Sequence, residues 1–156
     1  MKTKKSKDWF GRSKSVEELH HDSINWLSEI KFINYEMKFL NQLLSSYYID
    51  LLDSGYNDQI KELVDKIAIE KKSGDVLSKL ILKHDKILSD LIQTNSVTSN
   101  KNYLETHKKF EIEMNIFLGR SKPLKMKIFK LIERVIRKKK QKKFPKAKNI
   151  LKIDKK

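Results

Sequence analysis

The sequence predicts an all-α fold: a long antiparallel up-down-up three-helix bundle, coiled-coil-like, with basic and partly disordered termini. Three observations predict it. Apolar residues recur at alternating three- and four-residue steps through three long stretches, the spacing that gives a helix one continuous apolar side. Charged residues make up 35% of the 156 and hydrophobic ones 38%, with only four Gly and two Pro, which favours long charge-faced helices over strands. Short polar connections separate the stretches, as antiparallel neighbours require.

The first helix is expected over about 15–53. Its seam runs Val16, Leu19, Ser23, Trp26, Ile30, Ile33, Met37, Leu40, Leu44, Tyr47 and Leu51, with Ser23 the one small polar gap. Ser15-Val16-Glu17-Glu18 has the form of a capping box, in which the Ser15 hydroxyl and the Glu18 carboxylate each satisfy an orphan backbone amide. Ser54-Gly55 supplies a left-handed stop, and Asn57 or Asp58 is placed to cap the next helix.

The second helix, about 58–94, carries Ile60, Leu63, Ile67, Glu70, Gly74, Leu77, Ile81, His84, Leu88 and Leu91 on its seam. Glu70 and Gly74 interrupt the apolar run, and glycine costs about 1 kcal/mol against alanine inside a helix. A kink or frayed turn near 70–75 is the expectation. The run from Thr94 to Asn100 is polar and rich in cap formers, hence a loop.

The third helix, about 100–137, reads Tyr103, His107, Phe110, Met114, Phe117, Ser121, Leu124, Ile128, Leu131 and Val135. Pro123 removes one backbone hydrogen bond, but the seam keeps phase on both sides of it, so one kinked helix is expected and not two. Residues 1–14 lack helical periodicity and read as a basic arm. Its Trp9 and Phe10 are expected to tuck against the bundle end. Residues 137–156 read as a basic tail, in which the helix can continue to about Phe144 before Pro145 stops it.

Charge is partitioned unevenly. The net +15 resolves into six Lys/Arg against Asp8 in residues 1–14 and eleven against Asp154 in 137–156, while the 18 basic and 18 acidic residues of 15–136 cancel. A neutral body with cationic ends points to a polyanionic partner, nucleic acid or the ribosome first, with an anionic membrane surface as the alternative and a merely solubilising tail as the plainest reading. The candidate polyanion-binding residues are Arg137, Lys138, Lys139, Lys140, Lys142 and Lys143. Lysine predominates among them, which suits phosphate better than base edges.

Two further sets stand out. Phe32, Tyr35 and Phe39 lie off the first seam, either flanking the core or forming a surface for a protein partner or a second copy. Tyr35 is farthest from the seam and expected to be the most exposed. His84 and His107 occupy seam positions, where a polar side chain needs a partner. Folding back about the two loops places Ser23, Leu88 and His107 in one layer and Leu27, His84 and Glu111 in the next, with His20 a turn away. The plain reading is a polar layer that fixes register. The sharper one is a weak transition-metal site formed by His20, His84, His107 and Glu111, although Glu17-x-x-His20 and Glu18-x-x-His21 lie in the first turn, where acids are expected for capping.

Nothing in the chain identifies a family or an enzyme. There is no cysteine, no phosphate-binding glycine loop, no plausible nucleophile beside the histidines and no evident small-molecule substrate. The expectation is a non-enzymatic helical adaptor without a cofactor, contacting a polyanion through its ends. A scaffold that associates with itself is the alternative. The absence of a signal-like or membrane-spanning run makes a cytoplasmic protein the default, and the abundance of Lys, Ile and Asn suggests an AT-rich bacterial genome.

Overall fold

The computed structural model describes residues 6–7, 13–97 and 100–143. The described residues are all-α apart from one short pairing, with four helices: α1 (Val16–Ser46), α2 (Tyr48–Asp53), α3 (Asn57–Gln93) and α4 (Lys101–Lys143). A two-residue antiparallel pairing of Ser6–Lys7 with Ser13–Lys14 precedes them. Most of the basic arm, including Trp9 and Phe10, and the tail beyond Lys143 lie outside the described residues.

The capping box forms as the sequence predicts. Glu18 N–H donates to the Ser15 hydroxyl at 3.2 Å, and Ser15 N–H donates to the Glu18 carboxylate at 3.1 Å. The long first helix, however, is interrupted. Tyr47 adopts φ −105° and ψ 15°, which ends α1 and lets α2 begin one residue later. Just before the break, the Ser46 hydroxyl donates back to the Gln42 carbonyl at 2.9 Å, a bond that competes with the helical ladder and bends helices. The seam stays in phase across the break, and Leu51 is fully buried.

Gly55 provides the expected left-handed stop at φ +81°, with Gly55 N–H donating to Leu52 and Tyr56 N–H to Leu51. The next helix then begins at Asn57 behind Tyr56, which makes no side-chain cap bond. Neither Asn57 nor Asp58 is the cap residue. At the far end Asn95 takes the left-handed conformation, and the Asn100 carboxamide accepts from Tyr103 N–H at 2.9 Å, capping α4.

α3 runs unbroken through 70–75, so no frayed turn separates its halves. Gly74 is buried, and a Cβ built on it would lie 2.8 Å from Asn34 Oδ1 and 3.3 Å from both Ile30 Cγ2 and Phe117 Cζ. Side chains from α1 and α4 close on a bare backbone, so the glycine is a point of close approach. Gly74→Val is therefore expected to lower stability by about 1–3 kcal/mol through overpacking. Gly119→Ala, where a Cβ meets nothing within 4 Å, is expected to raise it by up to about 1 kcal/mol from helix propensity. Thermal melts of the two variants check the opposite signs.

Pro123 sits inside a single helix, α4. Close to it, the side chains of Arg120 and Ser121 both donate to Glu70, which ties this stretch of α4 to α3. The other seam positions behave as the periodicity predicts. Trp26, Ile30, Met37, Leu40, Ile67, Ile81, Met114, Phe117 and Ile128 are among the residues of one long core, and Leu19, Leu88, Val97 and Tyr103 form a smaller cluster at one end.

α3 packs antiparallel to α1, since His20 near the start of α1 meets Asp85 near the end of α3. α4 is antiparallel to α3, since Glu70 meets Ser121 while His84 meets His107. α1 and α4 therefore run in the same direction. Their facing flanks show it directly: Lys125 bonds Glu36 at 2.6 Å and Lys139 bonds Asp50 at 3.4 Å, both pairs 89 residues apart in sequence. One heptad pair earlier the same separation joins Asp22 to Glu111, two carboxylates, and Lys14 stands between them, 2.6 Å from Asp22 and 3.5 Å from Glu111. The cation that α4 lacks at this rung comes from the chain just before α1.

Candidate functional site

The histidines converge, in a register one helical turn from the expected one. His84 and His107 share a single layer, with His84 Nε2 and His107 Nδ1 2.8 Å apart. His107 Nε2 lies 2.9 Å from Asp22 Oδ2. A carboxylate only accepts, so His107 Nε2 carries a hydrogen, and the remaining contact holds one hydrogen between the two rings. The result is a chain Lys14–Asp22–His107–His84, buried except at the half-buried Asp22, between the main core and the end cluster.

Aromatic rings enclose this chain. The His84 ring stacks on Tyr103 at 4.2 Å and 3°, Phe110 meets it edge-on at 4.9 Å, and Trp26 lies 4.7 Å from His107. Burial first, and then the neighbouring His107, push the His84 imidazole down to about 4, so it is neutral near pH 7. Burial alone would raise the Asp22 carboxyl. The hydrogen bonds from His107 and Lys14, together with their charges, outweigh it and hold the group below the ordinary carboxylate value. The Tyr103 phenol is pushed above its ordinary range, by burial first and then by Asp85 and Asp22.

Of the four proposed metal ligands, the structure brings only His84 and His107 together. Glu111 reaches the network through Lys14, and His20 lies on the surface, 2.9 Å from Asp85. His107 has both ring nitrogens engaged. Among the described residues no group of three or more His, Cys, Asp or Glu side chains is placed to hold a metal ion. Ser23, expected to face the histidines, is buried in the same region, but its hydroxyl has no hydrogen-bond partner among the described residues. Its neighbour Asp22 makes the bond instead.

A second buried polar group lies farther along. Glu70 is 3% exposed; Arg120 Nε and the Ser121 hydroxyl each donate to its carboxylate at 2.7 Å, and Ser121 also bonds the Phe117 carbonyl at 3.0 Å. Two adjoining surface cavities of about 430 and 520 Å³ flank this pair between α3 and α4, sharing Ile69, Ser73 and Arg120 in their walls.

The described part of the basic segment is helical. Arg137, Lys138, Lys139, Lys140, Lys142 and Lys143 are all helical, the last two turns of α4, in keeping with the expectation that the helix runs on through these lysines. Lys139 is committed to Asp50 and Arg137 pairs with Glu133 one turn back at 3.1 Å. The cationic surface also begins much earlier than the chain-end count suggests. Between 119 and 143 there are twelve Lys/Arg and one acid, Glu133, and Lys127, Lys130, Arg134 and Arg137 follow one another at three- and four-residue steps on the exposed face of α4. The neutral sum over 15–136 masks this asymmetry, because the compensating acids lie on the other helices.

The aromatic set is exposed as a group. Phe32 is 61%, Tyr35 67% and Phe39 54% exposed. Tyr35 is the most exposed of the three, as its distance from the seam predicts. No described helix is long and apolar enough to cross a membrane. Compared with known protein families, curated proteins and solved structures, the chain matches none.

Proposed function

We propose that the chain is a non-enzymatic, cytoplasmic helical binding protein, an up-down-up three-helix bundle in which α1 and α2 form one interrupted arm, and that the second half of α4 holds a nucleic-acid backbone. The observation that supports this reading is the acid-poor row Lys127, Lys130, Arg134 and Arg137, continued by the lysines to Lys143 on one unbroken helix. From Lys127 to Lys143 the helix extends about 24 Å at 1.5 Å per residue, a length over which duplex nucleic acid carries about fourteen phosphates.

A membrane surface is the poorer match. Insertion at an interface needs a free apolar helix face, and on α4 that face, with Leu124, Ile128, Leu131 and Val135, is buried in the core. Point-like lysine charges favour the phosphate backbone over particular bases, so binding with little sequence preference is expected.

The test is titration of a labelled oligonucleotide by anisotropy at several salt concentrations. Replacing Lys127, Lys130, Arg134 and Arg137 together by Gln is expected to flatten the slope of log affinity against log salt by about 3 to 4, close to one unit per lost phosphate contact. No binding at low salt, or an unchanged slope in the variant, would rule the reading out.

A further inference from the structure

We infer that a second copy of this chain docks in parallel along the outer face of α1 and α2, forming a two-fold dimer. On the side away from the core, four- and three-residue steps give a second seam: Ser28, Phe32, Tyr35, Phe39, Gln42 and Ser46. The same steps reach forward to Ile49 and back to Asn25 and His21. All nine positions are exposed and none is Asp, Glu, Lys or Arg, in a chain where those four types make up 35% of residues. A solvated helix face normally concentrates charge, so its exclusion along about eight helical turns marks a face kept free for contact. A 4-3 repeat is also the spacing that keeps two helices in register against each other.

The flanks of this seam select the occupant. Lys31 and Lys38 border it on one side, Glu29 and Glu36 on the other. When two identical helices pair in parallel, the residues bordering the seam on one side meet those bordering it on the opposite side of the partner, a few positions farther on. Lys31 of each copy then comes alongside Glu36 of the other, twice by symmetry, and shares that carboxylate with Lys125, which already holds it at 2.6 Å. Antiparallel pairing would set the lysine flanks of the two copies against each other. The charges therefore complement a second copy of α1 in one orientation.

The area suffices for a weak-to-standard interface. Six aromatic side chains from two copies, each offering about 150–250 Å² and exposed to roughly 60% here, bury on the order of 700 Å². Gln42, Ser46, Ile49 and the lysine stems add to this, approaching the roughly 1,200 Å² at which specific association becomes stable. Because α4 runs in the direction of α1, this dimer also brings both cationic helix ends to one end of the assembly.

Sedimentation velocity of the full chain across a concentration series tests the proposal. The unaltered chain is expected to shift from monomer to dimer within the micromolar range, and Tyr35→Glu to weaken the dimer by about thirtyfold or more. Because Tyr35 is exposed, the variant should keep its helical circular dichroism and melting temperature, which separates loss of docking from loss of fold. Lys31→Glu is expected to weaken the dimer several-fold by opposing Glu36 of the other copy. A chain that stays monomeric at several hundred micromolar, a folded Tyr35→Glu variant that still dimerises equally well, or a Lys31→Glu variant that dimerises more tightly, as antiparallel pairing requires, would each overturn it. These outcomes are independent of nucleic-acid binding.

Discussion

Acidification from about pH 6.5 to about pH 4 is expected to remove roughly 3 kcal/mol from the stability of the fold. The reason is the His84 ring, 3% exposed and stacked on Tyr103, whose protonation is pushed from the ordinary 6.5 down to about 4. Between those values the unfolded chain takes up a proton at this position and the folded chain does not. The unfolded state thus binds more protons, and stability falls as pH falls. At about 1.4 kcal/mol per unit, the window corresponds to about 3 kcal/mol. Asp22, held below its ordinary value, acts in the same sense at still lower pH, where protonating it removes an acceptor from His107 and Lys14. Urea denaturation at pH 7, 5.5 and 4 measures the effect. His84→Gln should lose most of the slope in this window; a variant that keeps it would show that the buried imidazole is not its source.

The second large effect is expected at Arg120. Arg120→Ala leaves the Glu70 carboxylate, 3% exposed, with Ser121 as its remaining side-chain donor. Removing one partner of a buried pair costs about 3–5 kcal/mol. Arg120 is itself 51% exposed, so water reaches the site when the side chain goes, and about 2–3 kcal/mol is expected. That corresponds to a fall in melting temperature of roughly 5–10 °C for a domain of this size. Glu70→Met with Arg120→Met should recover most of the loss, because no charge is then stranded. If the double variant is as unstable as Arg120→Ala, the cost lies in packing around Pro123 and not in the pair.

The seams are legible in the sequence because burial repeats with the helix period, and every position from Leu19 to Leu44 on the first seam is buried. The capping box and the Gly55 stop are legible because each is set by a local spacing. The features that escape are set by tertiary geometry. The turn around Gly55 and the loop before Asn100 determine how far each helix slides, and the actual slide puts His84 and His107 in one layer, where counting back from the loops puts them in two. Asp22 and Lys14 look like ordinary surface charges. Asp22 borders the seam and reaches inward, and Lys14 belongs by composition to the basic arm. Gly74 reads as a weakness because sequence reports the missing side chain and not the atoms that occupy its space.

The row of ion pairs between α1 and α4 has a consequence for how the chain chooses one arrangement among near-equals. Long apolar seams with a seven-residue repeat tolerate sliding by one repeat, since each knob finds an equivalent hole. The carboxylates do not. Slid back by seven residues, Asp22 would face Leu104, Glu36 Leu118 and Asp50 Ile132, three acids each brought against an aliphatic side chain. Pairs as exposed as Lys139–Asp50 add little stability in place. Their worth is in the shifted alternatives, which they make costly, so Lys125 and Lys139 act as stops against slippage more than as fasteners.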